Sequence, residues 1–321
     1  MSFFKRVTSI AATALVLASS HAFAENKKAV ISQAFQSMLY LPLYVGLDEG
    51  FFAKQGLDLT KETAGAPSVA LSAVLSGSAQ FSLHGPEWTA VAASKGAPVN
   101  IIANVVNGAA VWIATTPEFK FDSVKDLKGK KIVVGQMPTT STSLFLKLLK
   151  ENGMTKDDVE MIPVQIGSEP GPFLAKQADV AVMYEPGLDQ VVAKGMKVAV
   201  GFPKQYGAYA FSAISARQDI DPDVAQRLVN GLEMALRFMA THQDETIVIA
   251  KKEFPTLDPA VVEAAVKRMM VEKVYPANVD IAADALKVAM DTQIALGNLK
   301  AQPVYSDFIL KKYIEPALAL K

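Results

Sequence analysis

Leu41-Pro-Leu-Tyr-Val-Gly-Leu-Asp-Glu-Gly-Phe-Phe-Ala-Lys-Gln-Gly-Leu-Asp-Leu59 sets the reading of the whole chain. Pro42 suits the first turn of a helix, where its missing N–H would have had no partner anyway. At about 100° per residue, Leu41, Tyr44, Val45 and Phe52 fall on one face of that helix. Gly56 provides a left-handed stop, and Leu57-Asp58-Leu59-Thr60 then alternates apolar and polar like a half-buried strand. Helix, glycine, strand is the punctuation of an α/β protein.

The same punctuation extends along the chain. Short apolar strands are expected at 29–32, 57–61, 80–83, 100–106, 111–115, 131–134, 160–164, 179–183 and 197–200. Helical segments lie between them, among others at 69–75, 87–95, 143–151 and 187–193. Strands alternating with helices predict mainly parallel sheets. After one more strand at 209–215 the character changes. Residues 221–299 read as almost continuous helix, interrupted at Pro255, Pro259, Pro276 and Gly297, and a last helix is expected over 306–319.

Lys5 and Arg6, the apolar run 10–18 and the small-x-small Ala22-Phe23-Ala24 together form an export signal over residues 1–24. The run is too short for a membrane span, which needs about 18 residues. With no cysteine in the sequence, disulfides, thiolate metal sites and cysteine nucleophiles are excluded. A lipidated cysteine at the cleavage point is excluded as well, so the expectation is a periplasmic protein that is not lipid-anchored. Without the signal, 30 basic residues face 32 acidic ones, a balance that favours neither nucleic acid nor an anionic membrane. Half of the residues are hydrophobic, and the roughly 297 beyond the signal can bury the core of about two domains.

In open α/β sheets, ligands sit beyond the carboxyl ends of strands, where helix starts leave N–H groups unpaired. Five turns have that form: Gln33–Met38, Gly65–Ser68, His84–Trp88, Pro138–Ser143 and Tyr184–Gly187. Thr139 to Ser143 can cap a helix, seat a ligand, or do both. Trp88 can be core or platform, and Glu87 is favourable in a first helical turn even without a ligand. His84 has neither a second histidine nor a cysteine near it in sequence, so pocket wall or core fits it better than a metal site.

The residue order in 41–59 closely resembles the opening of periplasmic solute-binding proteins that serve ABC importers. The branch is the one whose members bind nitrate, sulfonates such as taurine, or thiamine pyrimidine precursors. Tyr184-Glu185-Pro186 is similar to that family's Trp-Glu-Pro-like turn, with Tyr in place of Trp. The resemblance implies an α/β, two-lobed type II periplasmic-binding-protein fold with the ligand cleft between the lobes and the helical C-terminal region packed on lobe 1. The crossings are then expected near 115–117 and 206–208. That gives one lobe of 25–115 plus 208–321 and a second of 116–207. In the family's register Gln36, Ser68, Glu87 and Trp88 face the ligand from the first lobe, and Thr140, Ser141, Tyr184 and Glu185 from the second. The implied partners are a small-molecule ligand and an inner-membrane ABC permease with its cytoplasmic ATPase. The binding protein itself is expected to be a monomer with no cofactor and no metal.

The ionisable side chains of these turns are His84, Glu87 and Glu185, with no lysine or arginine. Aromatic faces, hydroxyls and carboxylates favour an uncharged or amine-bearing organic nutrient, such as a nitrogen heterocycle of the thiamine-precursor kind. An alkanesulfonate, taurine or nitrate-type anion is the alternative, because helix N-termini and hydroxyls hold anions unaided. Hydrolase, zinc-protease, dinucleotide and P-loop motifs are absent from the sequence, so an enzyme is not expected. A pyrimidine-precursor synthase-like enzyme of the same superfamily is the second-class alternative. The export signal and the missing cysteine-rich segment speak against it. A sensor using the same cleft would carry the same sequence features as a transporter component.

Overall fold

The computed structural model describes residues 25–137 and 139–321, so the expected export signal lies outside the described residues. Two five-stranded sheets organise the chain. The first holds β1 (Lys27–Gln33), β2 (Leu57–Thr63), β3 (Phe81–His84), β4 (Val99–Gly108) and the late strand β10 (Ala208–Arg217), in the order β2-β1-β3-β10-β4. The second holds β5 (Trp112–Thr115), β6 (Lys131–Gly135), β7 (Glu160–Val164), β8 (Val180–Met183) and β9 (Lys197–Gly201), in the order β7-β6-β8-β5-β9.

The β1–β2, β1–β3, β6–β7 and β6–β8 pairs are parallel, as strand–helix alternation predicts. β10 runs antiparallel to β3 and β4, and β5 runs antiparallel to β8 and β9. Both exceptions are strands that arrive from the other sheet. This places the first crossing upstream of its expected position: β5, expected in the first lobe, pairs within the second sheet. The chain passes between sheets over 109–111 and returns over 202–207. Val111 to Ala114 are fully buried apolar residues, so local pattern gives no hint of which sheet receives them.

The stretch that opens the sequence reading forms two helices rather than one, Leu41–Asp48 and Phe51–Lys54, because Gly50 takes φ +67° between them. Every residue from Leu41 to Gly46 is buried, so the helix is enclosed on all sides instead of showing one face to solvent. Phe52 explains two glycines. A Cβ on Gly46 would sit 2.5 Å from the Phe52 ring, and one on Gly231, in the helix Pro222–Thr241, would sit 2.5 Å from the same ring. The two glycines let both helices close on one aromatic side chain. Gly56 supplies the left-handed stop at φ +74°, and its carbonyl accepts a bond from Arg227 Nη1 at 3.0 Å.

Helices Pro222–Thr241, Gln243–Glu253, Pro259–Val271 and Ala283–Ala295 follow β10, the first and last of them packing against strands of the first sheet. The expected last helix is split into Tyr305–Phe308 and Lys311–Leu318. Between them Ile309 bridges Ile101 of β4, and the Leu310 N–H donates to the Ile101 carbonyl at 2.9 Å, which holds the backbone extended there. No helix among the described residues is long and apolar enough to cross a membrane.

Candidate functional site

β1, β3, β6 and β8 direct their carboxyl ends toward one region, where the two sheets' loops meet. Phe35 follows β1, Gly85 follows β3, Thr140 opens the helix Thr140–Glu151 after β6, and Tyr184 follows β8. All four line one cavity, together with Tyr40 and with Phe211 and Ser212 of β10. The rings form a cage. Phe35 stacks on Tyr184 with centroids 5.7 Å apart and planes 27° apart, Phe35 meets Tyr40 at 5.5 Å, and Phe211 stands edge-on to Tyr184 at 6.0 Å. The enclosed volume is ≈ 10 Å³, about enough for one water molecule. In this arrangement the cage has no room for a larger solute.

The electrostatics are those of buried acids. Glu87 is buried in the first turn of the helix Pro86–Ala93, and its Oε1 accepts the Thr140 hydroxyl at 2.5 Å across the lobes. Its Oε2 has no hydrogen-bond partner among the described residues. Burial pushes the Glu87 carboxyl up to about 6. Glu169, just before the helix Pro170–Leu174, is also buried with one oxygen unpaired among the described residues, and burial pushes it up to about 7. A Cβ on Gly135 would meet Thr139 Oγ1, Ser141 Oγ and Glu169 Oε1 at 3.2, 3.3 and 3.4 Å. A Cβ would be tight against all three, so glycine eases their convergence there. The Ser141 N–H donates to the Tyr184 hydroxyl at 2.9 Å, so the ring is fixed by the helix start. Thr139 caps that helix by accepting from the Thr142 N–H at 3.3 Å.

His84 plays a structural part. Its Nδ1 lies 2.9 Å from the Gly85 carbonyl and its Nε2 2.9 Å from Ser82 Oγ, while burial lowers its pKa to about 4. The ring is neutral, donating from Nδ1 and accepting at Nε2. Among the described residues no three acidic, histidine or cysteine side chains are grouped to hold a metal.

Arg268, from the helix Pro259–Val271, reaches the second lobe and clasps Glu185 Oε1 at 2.9 Å and Asp189 Oδ1 at 2.6 Å. Burial and the adjacent Asp189 raise the Glu185 carboxyl well above its usual range. Among the described residues three further bonds join the lobes: Ser37 Oγ donates to the Glu185 carbonyl at 3.1 Å, Trp112 Nε1 to Glu272 Oε2 at 2.9 Å, and Lys150 Nζ to the Ala295 carbonyl at 3.4 Å.

Of the residues expected to face a ligand, Thr140 and Tyr184 line the cage, and Glu87 and Ser141 stand one hydrogen bond behind them. The other four are placed elsewhere. Gln36 turns away to donate to the Glu253 carbonyl and carboxylate at 2.9 and 3.1 Å. Ser68 is exposed on the helix Pro67–Ser76, and Pro67 takes its place at the cavity. The Glu185 carboxylate is held by Arg268. Trp88 is half-buried beside a separate groove. Phe35, Tyr40, Phe211, Ser212 and Glu169 were not anticipated. Phe35, the immediate neighbour of Gln36, takes the place at the cavity in the first turn.

A family model described as NMT1/THI5 like matches residues 38–246. YtlA of Bacillus subtilis, named as a binding protein with no ligand specified, is 23% identical over 259 residues, 77% of this chain and 77% of its own. The periplasmic aliphatic sulphonate binding protein SsuA from Escherichia coli superposes with a TM-score of 0.74 at 14% identity, covering 90% of this chain and 99% of that one. The desulfurization enzyme DSZB superposes with a TM-score of 0.69 at 13% identity, covering 90% and 99%. At these identities the two structures show the fold alone: two α/β lobes of the periplasmic-binding-protein type, with the C-terminal helices on the first.

Proposed function

The chain belongs to the NMT1/THI5-like family, and on that premise we propose that it is the extracytoplasmic solute-binding component of an ABC-type import system, capturing a small nitrogen heterocycle between its lobes. The aromatic cage carries this reading. Its walls come from both lobes, Phe35, Tyr40 and Phe211 from one and Tyr184 and Thr140 from the other. A flat ring held among them gains contacts only when the lobes are together, which is the differential affinity that closure requires. Stacking on aromatic faces suits a heterocycle, and the buried carboxylate of Glu87 suits an amino group.

The same features weigh against an anion. None of the described residues lining the cage is lysine or arginine, and two buried carboxylates lie close by. An alkanesulfonate of the kind named for SsuA would be repelled by them once desolvated. Catalysis finds no support in the cage either. The sequence has no cysteine nucleophile, and His84 is neutral with both ring nitrogens engaged.

A thermal-shift screen of aminopyrimidines, alkanesulfonates and nitrate tests the proposal, since a ligand that binds only the folded state raises Tm by mass action. Aminopyrimidines are expected to raise Tm, and Tyr184→Ala to remove about 1–3 kcal/mol of their binding. A shift with sulfonates or nitrate alone would overturn the ligand class.

A further inference from the structure

Three parallel strands of the second lobe, β7, β6 and β8, end side by side, and the loop after each gives a residue to the cage wall: Ile166, Thr139 and Tyr184. Behind that wall the first two of these loops build a smaller cradle. Thr139 Oγ1, Ser141 Oγ and Glu169 Oε1 all lie within 3.4 Å of one point, the position a Cβ on Gly135 would take. Gly135 ends β6, Thr139 and Ser141 stand at the start of the 12-residue helix Thr140–Glu151, and Glu169 arrives from the β7 loop. Thr139 belongs to both the cage lining and the cradle, so the two are contiguous.

At this helix start the hydroxyls face an acid. Thr139 is 4%, Ser141 0% and Glu169 1% exposed, and Glu169 Oε1 has no hydrogen-bond partner among the described residues. The Thr139 hydroxyl donates to Thr142 Oγ1 at 3.1 Å, and the Thr142 hydroxyl to the Gly135 carbonyl at 2.6 Å. The Ser141 hydroxyl, 3.2 Å from Thr139 Oγ1, is the donor of the group that neither of these bonds fixes. Helix starts favour negative charge, because their N–H groups and dipole present partial positive charge. Burial dominates the Glu169 carboxyl, opposed only by its own N–H and that of Gly167, with no lysine or arginine beside it. Its charge adds to the burial that raises the Tyr184 hydroxyl, so the acid acts on the cage wall itself. A carboxyl placed this way does what a bound anion would do at the same helix start.

We propose that Glu169 is a specificity-determining residue that fills the second lobe's anion seat from within, so that the cage admits neutral or amine-bearing solutes and refuses sulfonates. The assignment rests on the cage being the solute site, as proposed above, but not on which solute fills it. A sulfonate group brought to Thr139 and Ser141 would meet the Glu169 oxygen at the same point, and like charges out of water repel strongly. With the carboxyl gone, the hydroxyls and the helix start are left as an empty seat contiguous with the cage.

Isothermal titration with methanesulfonate tests this. Glu169→Ala is expected to bind it at least tenfold more tightly than the unaltered protein. Glu169→Ser, which also vacates the seat, is expected to show the same gain and serves if the alanine variant does not fold. Adding Ser141→Ala to either is expected to remove the gain. Asp157→Ala, which removes an exposed acid of the same lobe, is expected to give none. A folded Glu169→Ala or Glu169→Ser that binds methanesulfonate no better than the unaltered protein would overturn the assignment. So would a gain that survives Ser141→Ala, or one that appears equally in Asp157→Ala, since the anion would then sit elsewhere or answer to net charge alone. The two proposals fail separately. Aminopyrimidines that leave the Tm of the unaltered protein unmoved remove the proposed ligand and leave the Glu169 gain to be read on its own. A missing gain removes the role of Glu169 and leaves the aminopyrimidine shift standing.

Discussion

Glu87 and Glu169 are acids placed where ionisation is costly, and this gives them a signature in solution. Both have pKa values raised by burial, to about 6 and about 7. An acid with a raised pKa in the folded state stabilises the fold fully below its unfolded value, near 4.5, and loses that stabilisation as pH climbs through the folded value. The two acids make unfolding in urea require more free energy at pH 5 than at pH 8, while His84 with its lowered pKa opposes them by losing stability as pH falls. The net difference is expected to be about 1–2 kcal/mol. Glu169→Gln should flatten most of that slope and raise stability at pH 8, because a neutral amide replaces a buried charge. A variant that keeps the full slope would show that Glu169 is not its source. At this scale Thr140 and Tyr184 were readable, being a hydroxyl and a ring directly after apolar strands. Phe211 was not, because β10 is buried on both faces from Tyr209 to Ala216 and its alternation does not say which side faces the cleft.

Elements carry the next level. The expected single helix over the opening stretch breaks at Gly50 so that Phe52 can turn in between Gly46 and Gly231, a contact spanning 179 residues that no local pattern reveals. Gly231→Ala should cost about 1–3 kcal/mol by overpacking against the Phe52 ring and backbone. Urea denaturation checks this, and a change under 0.5 kcal/mol, inside the range typical of neutral surface substitutions, would contradict the packing account. The strand and helix order up to residue 200 was legible from alternating patterns and glycine stops. Membership of β5 in the second sheet was not, since sheet pairing is non-local. Nor was the break at Ile309, which is imposed by Ile101 two hundred residues earlier.

The helix Pro259–Val271 is also a clamp. Its Arg268 satisfies Glu185 and Asp189, which are otherwise buried in the second lobe. Removing one partner of such a group costs about 3–5 kcal/mol when fully buried, less here because Arg268 is partly exposed. Arg268→Met should lower stability and shift the free protein toward separated lobes, since opening rehydrates the two carboxylates. Small-angle scattering of the variant is expected to give a larger radius of gyration than the unaltered protein. An unchanged radius would reduce the clamp to a packing contact.

Across the whole molecule, two sheets and two crossings place the cage between the lobes, and the proposed function has the ligand enclosed there by lobe motion. The cage is closed to ≈ 10 Å³, while the groove beside it keeps ≈ 270 Å³. On the proposed function, capture uses an open state and bound solute repopulates the closed one. The most direct test is small-angle scattering of the protein alone and saturated with the aminopyrimidine that raises Tm most. The account predicts a smaller radius of gyration with ligand than without. Saturating ligand that raises Tm yet leaves the radius unchanged would contradict capture by lobe closure.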